Sequence, residues 1–173
     1  MKGVLFIHLR RYLESEHPDL RWNEILYECG INQLFATGWE YPDRAIDCIV
    51  RSSARRLNRS TGEIYYGFGK RSIYEFRKEY RRSFDEHPSS RSFFTRLNDI
   101  VRESILNTPD VQPPEFEVRE NGESVDLTYR SPRKMLAYIR GIIDGLLEMY
   151  GESARVEIVD ESDDSATFRI TYT

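Results

Sequence analysis

A tyrosine, a serine and an arginine occupy alternate positions in the segment Tyr129-Arg-Ser131-Pro-Arg133. In an extended chain alternate side chains share one face, so the phenol, the hydroxyl and the guanidinium would lie on the same side. All three groups donate hydrogen bonds, and a guanidinium can bind a carboxylate through two of them. The spacing predicts a site for one or two carboxylates. The alternative is a corner whose polar side chains satisfy one another.

The elements that would position this motif are a strand and a helix. Val125, Leu127 and Tyr129 alternate with polar residues, which predicts a strand with one buried face. Ser131-Pro132 has the residue types that begin helices, and the apolar spacing beyond it predicts a helix over 132–150. The motif would then lie where a strand turns into a helix.

The periodicity of the whole chain changes near Asn107. Apolar residues recur at helical spacing before that point and alternate with polar residues after it. Asn121-Gly122 separates two alternating runs and indicates a hairpin, and strands are also predicted over 155–159 and 167–172. We predict one α+β domain, with a helical lobe over 1–107 and, over 108–173, a lobe with a four-stranded antiparallel sheet in the order ββαββ.

Composition excludes several classes of protein. A net charge of -4 argues against a general nucleic-acid binder, and no apolar run approaches the ~20 residues that span a bilayer. The two cysteines, Cys29 and Cys48, show no disulfide framework, which predicts buried thiols and a cytoplasmic protein. The sequence shows no nucleophile triad, phosphate loop or zinc spacing, so we expect no enzyme.

Several motifs together resemble the heme-nitric-oxide/oxygen-binding (H-NOX) family, the sensor domain related to soluble guanylate cyclase. The resemblance covers nearly the whole chain and rests on Met1-Lys2-Gly3, Trp22, Tyr41-Pro42-Asp43, Phe68-Gly69, the helix from Phe93 to Asp99, Pro109-Asp110, Pro113-Pro114 and Tyr129-x-Ser131-x-Arg133. It implies an H-NOX fold and a bacterial-type nitric oxide sensor without enzymatic activity.

The resemblance also assigns a heme site. In the family the Tyr-x-Ser-x-Arg motif clamps the two heme propionates, which implies that role for Tyr129, Ser131 and Arg133. Tyr138 falls where oxygen-binding members carry a distal tyrosine. The remaining pocket residues that the resemblance implies are Leu5, Leu9, Ser72, Phe76, Val101, Pro114 and Ile142.

One residue departs from the family pattern. Family members hold the heme iron through a histidine on the long helix, and Val101 stands at that position here. Valine has no lone pair, so iron could not be ligated from that side chain. His8, on the first helix, is the one candidate for a replacement ligand, and the alternative for His8 is a packed core residue. His17 and His87 precede prolines and are expected in exposed turns.

Three functions follow from this departure. The pocket would bind heme without the usual histidine, or it would bind a fatty acid or another tetrapyrrole without heme. The third alternative is a ligand-free regulatory protein that acts through protein contacts. Since single-domain family members signal to separate effectors, the expected partner is a histidine kinase, a diguanylate cyclase or a chemoreceptor.

Overall fold

The fold combines helices with one antiparallel sheet, which confirms the α+β prediction. The computed structural model describes the backbone of residues 1–105 and 113–173, and the side chains of 1–102 and 113–173. The predicted lobe boundary at 107/108 and the motif Pro109-Asp110 lie outside the described residues. The elements are α1 (Gly3–Glu16), α2 (Trp22–Glu28), α3 (Asp43–Leu57), α4 (Thr61–Glu79), α5 (Arg81–Asp85), α6 (Ser90–Ile105), β1 (Glu115–Asn121), β2 (Ser124–Arg130), α7 (Leu136–Tyr150), β3 (Ala154–Glu161) and β4 (Ser165–Tyr172).

The chain forms two compact units. The first contains residues 1–75 and 137–143, and the second contains 76–136 and 144–173. The first unit is therefore helical, whereas the second holds the sheet together with α5 and α6. The lobe boundary predicted at 107/108 remains a prediction.

In the first unit, glycines bring the backbones of α4 and α7 into contact. A methyl group on Gly69 would collide with the carbonyl oxygen of Tyr138 and lie 2.9 Å from its carbonyl carbon. A methyl group on Gly141 would collide in the same way with the carbonyl oxygen of Tyr66. These two positions accept only hydrogen as a side chain, so they fix which turns of the two helices meet.

The cysteines contradict the prediction of separate, buried thiols. Cys29 and Cys48 form a disulfide between the end of α2 and the second turn of α3, with their Cα atoms 5.8 Å apart. Both residues are partly exposed. Their separation of 19 residues carries no local sequence signal, because the pairing depends on how α2 packs on α3. A closed loop of this length contributes about 3 kcal/mol in the chain-entropy account.

The second unit is built on the sheet, whose strand order is β1-β2-β4-β3. Every neighbouring pair of strands is antiparallel. On β2 the side chains of Val125, Leu127 and Tyr129 are buried, as the alternation predicts. Asn121 pairs with Ser124, and Gly122 in the turn between them has a φ of 60°, so the hairpin prediction is also confirmed.

The predicted start of the last helix is wrong by four residues. Residues 131–135 form a turn, and α7 begins at Leu136 rather than at Pro132. Lys134 has a φ of 44°, which no helical residue adopts, and its N–H donates to the carbonyl oxygen of Ser131. This turn gives Ser131 and Arg133 a non-helical backbone.

The contact between α4 and α7 predicts the effect of adding one methyl group. We expect Gly69→Ala to lower the free energy of unfolding by about 1–3 kcal/mol, because the new atom displaces backbone rather than a flexible side chain. The measurement is urea denaturation followed by far-UV circular dichroism.

Gly62→Ala on the same helix is the matched control. A methyl group there has only the Ser60 hydroxyl oxygen within 4 Å, at 3.8 Å. We expect a gain of about 0.5–1 kcal/mol, since alanine favours the helix more than glycine does. Equal effects of the two substitutions would contradict the packing argument.

Candidate functional site

The corner after β2 is held by backbone hydrogen bonds. The Ser131 N–H donates to the carbonyl oxygen of Asp164 in the turn between β3 and β4, at 2.8 Å. The Ser131 hydroxyl oxygen accepts the Arg133 N–H at 3.3 Å. The Lys134 ammonium lies 3.1 Å from a carboxylate oxygen of Glu161. Ser131 is therefore anchored to the turn before the neighbouring strand β4, and Arg133 begins from a fixed backbone.

Tyr129 is joined to α6 through β1. Its ring centroid lies 5.6 Å from that of Phe116, which is its register partner on β1. The Phe116 N–H donates to the side-chain oxygen of Asn98 on α6, at 3.4 Å. Val101 follows Asn98 by one helical turn. Within the second unit, this chain of contacts relates the clamp residue Tyr129 to the part of α6 that carries Val101.

An ion pair on the other face of β2 keeps the strand in register. The Arg169 guanidinium on β4 makes two hydrogen bonds of 2.7 Å to the Asp126 carboxylate. These bonds hold the pKa of Asp126 below its usual range. Asp126 and Arg169 are register partners, so the pair supports the same alignment of strands that buries Tyr129.

The first unit buries polar residues on three helices. His8 on α1, Ser72 on α4 and Tyr138 on α7 are 0%, 0% and 7% exposed. The Tyr138 ring lies 4.7 Å from that of Phe68, one helical turn before Ser72. A methyl group on Gly67 would collide with the hydroxyl of Tyr12, one turn after His8. Helices α1 and α7 thus both approach α4 near the turn that carries Ser72.

Ser72 has an unsatisfied hydroxyl. Within the described part of the chain its Oγ has no hydrogen-bond partner, although the side chain is fully buried. A buried hydroxyl without a partner costs about 1–3 kcal/mol, and a ligand group could provide that partner. Ser53 Oγ on α3 has the same status, so the missing bond by itself does not identify a ligand site.

The other residues implied by the resemblance are divided between the two units. Leu5, Leu9 and Ile142 belong to the first unit, where Leu9 and Ile142 are buried and Leu5 is partly exposed. The second unit contains Phe76, Val101 and Pro114, which are all partly exposed. Their roles in binding remain predictions.

The donor atoms fit a carboxylate better than they fit iron. The motif Tyr129-x-Ser131-x-Arg133 contains a phenol, a hydroxyl and a guanidinium, and all three types of group bind carboxylates. Helix α6 contains no histidine, and Val101 offers only hydrocarbon. Among the described residues, no cluster of three histidine, cysteine, aspartate or glutamate side chains could hold a metal ion. The donor types of Tyr129, Ser131 and Arg133 therefore suit carboxylates such as the propionates of heme, whereas the Val101 side chain has no atom that ligates a metal.

Two histidines differ from the expected exposed turn residues. His17 is partly buried, and burial lowers the pKa of its imidazole. His87 Nδ1 lies 3.0 Å from the Ser92 hydroxyl, with which it forms a hydrogen bond. The His17 ring packs against Tyr12 on α1, and the His87 ring packs against Phe93 on α6.

Sequence reasoning missed three residues that support the clamp. Asp164 holds Ser131 through a backbone carbonyl, which any residue type would supply. Asn98 and Phe116 relate α6 to Tyr129 through contacts that depend on tertiary packing. The Asn98-Asp99 pair was part of the recognised motif, but nothing in the pattern indicated that Asn98 bonds to β1.

Comparison with protein families and solved structures gives a consistent result. A family model described as Haem-NO-binding matches residues 2–158. The fold is similar to that of a Cs H-NOX mutant with an unnatural amino acid, at 20% identity and a TM-score of 0.92, covering 99% of this chain and 96% of that one. Comparison with curated protein sequences gave no significant match.

Two further structures show the same fold. An H-NOX protein from S. oneidensis in the Fe(II)NO ligation state is 17% identical, with a TM-score of 0.91 and coverage of 100% of this chain and 99% of that one. An oxygen-binding H-NOX domain related to soluble guanylate cyclases, in its oxygen complex, is 20% identical, with a TM-score of 0.88 and coverage of 99% and 95%.

Ser72 and Ser53 provide a matched pair of substitutions. Because each removes an unsatisfied hydroxyl, we expect Ser72→Ala and Ser53→Ala each to raise the free energy of unfolding of the ligand-free protein by about 1 kcal/mol. In titrations with heme, we expect only Ser72→Ala to weaken binding, by about fivefold for one lost hydrogen bond. Equal heme affinities of the two variants would mean that Ser72 does not contact the ligand.

Proposed function

The chain belongs to the Haem-NO-binding family, and from that premise we propose a ligand-sensing domain that binds heme or a similar carboxylated apolar ligand. The family consists of sensor domains rather than enzymes, which confirms the prediction that the chain is not an enzyme. Homology supports a heme-based gas sensor. The finer proposal is that the ligand is held without a histidine from α6.

The observation that carries the proposal is the anchored corner at Ser131. The bond from the Ser131 N–H to the Asp164 carbonyl and the bond from the Arg133 N–H to the Ser131 hydroxyl fix the backbone that carries Ser131 and Arg133, two of the three proposed donors. A fixed set of donors binds a carboxylate without further ordering, which favours affinity. The carboxylate is therefore the part of the ligand that the geometry supports best.

The residue at position 101 limits how the domain can signal. In the family pattern, nitric oxide weakens an iron–histidine bond on the long helix. Val101 cannot form that bond, so we propose that heme binding relies on apolar burial and on the carboxylate clamp. His8 is fully buried on α1 and remains the candidate for an alternative iron ligand.

Two other functions have a specific observation in their favour. Val101 removes the chemical reason for preferring iron, which favours a fatty acid or another tetrapyrrole as the ligand. Burial of expected pocket residues favours a ligand-free regulatory protein whose pocket is filled by side chains, since Leu9 is 0% exposed and Ile142 is 9% exposed.

One experiment separates the three functions. The purified protein is analysed by mass spectrometry for co-purified ligands and then titrated with heme while the visible spectrum is recorded. A sharp Soret band with one heme per chain supports the proposal. A co-purified fatty acid or bilin supports the second function, and a colourless protein that takes up neither supports the third. An unchanged heme spectrum in His8→Ala would exclude His8 as an iron ligand.

We also propose a separate signalling effector as the partner, of the histidine kinase, diguanylate cyclase or chemoreceptor class. The arginine-rich surface of α3 gives this proposal little support, because Arg56 is bonded to Glu24 and Glu28. On α5, Arg81 and Arg82 pair with acidic residues one turn away. Within the part of the chain that the structure describes, no helix is long and apolar enough to cross a membrane.

The clamp predicts a selective loss of affinity. We expect Arg133→Gln to weaken heme binding roughly 10- to 100-fold, since a hydrogen bond to a charged group contributes about 1.5–3 kcal/mol. The measurement is a spectroscopic heme titration.

Arg130→Gln is the matched control for this prediction. It removes the same charge from an exposed position at the end of β2, where Arg130 lies 3.7 Å from Glu117. We expect its affinity to stay within twofold of the parent, by the small contribution of exposed ion pairs. Similar losses of heme affinity in both variants would mean that Arg133 acts only through its charge and not through a specific bond to the ligand.

Val101 predicts a gain of binding on substitution. We expect Val101→His to bind heme more tightly than the parent and to shift its Soret band, because an imidazole would then be available on α6. Arg102→His adds the same group at an exposed neighbouring position and should leave the spectrum unchanged. Identical spectra of Val101→His and the parent would mean that α6 does not face the ligand.

A further inference from the structure

The disulfide between Cys29 and Cys48 involves none of the residues of the proposed ligand site. It joins α2 to α3, and its Cα–Cα distance of 5.8 Å is ordinary for such a bond. Both cysteines are partly exposed, and the chain contains no others. A partly exposed disulfide can be reached by an external thiol, whereas a buried one cannot.

The two sulfurs have different electrostatic surroundings. Cys48 lies on α3, where arginines at positions i−4, i+3 and i+7 share its side of the helix: Arg44, Arg51 and Arg55. All three are exposed and permanently charged. Nearby cations stabilise a thiolate, so this surface favours the ionised form of the Cys48 sulfur. The acidic residue beside it, Asp47, accepts a hydrogen bond of 2.6 Å from the Tyr65 hydroxyl.

The surroundings of Cys29 disfavour a thiolate. It caps the C-terminal end of α2, where the helix dipole is negative. The preceding residue, Glu28, accepts hydrogen bonds from Arg56 and Ser52, which hold the pKa of its carboxyl below the usual range. Glu28 is therefore anionic. Its negative charge is partly neutralised by Arg55, which lies 3.9 Å away. A thiolate at Cys29 is disfavoured relative to one at Cys48.

We propose that Cys29 and Cys48 form a reversible redox site with fixed polarity. An external thiolate attacks the sulfur of Cys29, the S–S bond breaks, and Cys48 leaves as the thiolate. A second external thiolate then attacks the external sulfur of the mixed disulfide, and Cys29 leaves as the thiolate. In total, two electrons and two protons pass from two thiols to the cysteine pair, and the two thiols leave joined as a disulfide.

The helix that this site controls is short. Helix α2 has seven residues, too few to be stable alone, and depends on its buried side chains and on its links to α3. Arg56 provides one such link through Glu24 and Glu28, and the disulfide provides a covalent one. Reduction therefore acts on the attachment of α2 to α3.

Two measurements on the full chain test the polarity. The oxidised protein is treated with glutathione, quenched with acid and mapped by mass spectrometry, and we expect the mixed disulfide on Cys29. The reduced protein is then alkylated with limiting iodoacetamide at neutral pH, and we expect Cys48 to react about threefold faster. Cys48 reacts faster because its larger thiolate fraction outweighs the lower nucleophilicity of the more stabilised thiolate.

Arginine substitutions test the physical cause. We expect Arg44→Gln and Arg51→Gln to bring the ratio of alkylation rates towards one, whereas Arg10→Gln, an equal change of charge on α1, leaves it at about threefold. Three results would each overturn the proposal. They are faster alkylation of Cys29 than of Cys48, a ratio of alkylation rates that neither Arg44→Gln nor Arg51→Gln changes, and a disulfide that stays intact in glutathione.

Discussion

In the first unit, the backbones of α4 and α7 are in direct contact, and this contact constrains how the two helices pack. At Gly69 and Gly141 even a methyl group would overlap the facing carbonyl oxygen. Because side chains usually keep helix axes 8–10 Å apart, glycine at these positions lets the helices approach more closely and fixes their register. The placement of Tyr138 beside Phe68 follows from that register, since Tyr138 supplies the carbonyl that Gly69 meets.

The local parts of the fold could be predicted from sequence because their causes are local. The alternation of Val125, Leu127 and Tyr129 identified the buried face of β2, and Asn121-Gly122 identified the hairpin. The start of α7 was missed because Ser-Pro resembles a helix beginning, while the positive φ at Lys134 has no such signature. Glycine, asparagine and aspartate adopt a positive φ more often than other residues do, so a lysine at position 134 did not predict one.

Contacts between distant elements could not be predicted in the same way. The Cys29–Cys48 disulfide depends on the packing of α2 against α3, and the Asn98–Phe116 bond depends on that of α6 against β1. The motif Tyr129-x-Ser131-x-Arg133 could be recognised from its residue types alone. Its anchor at Asp164 could not, because the bond is made by a backbone carbonyl, which every residue type has.

A carboxylate clamp without an iron ligand changes where ligand selectivity would originate. The proposed clamp would recognise a charge that fatty acids, bilins and heme all carry, so it would distinguish none of them. An imidazole on α6 would add a bond that only iron can make, and Val101 replaces that bond with apolar surface. Apolar burial contributes about 25 cal/mol for each Å² and has no directional preference. Selectivity for heme in the proposed site would then depend on the shape of the apolar wall, which is a weaker criterion than coordination.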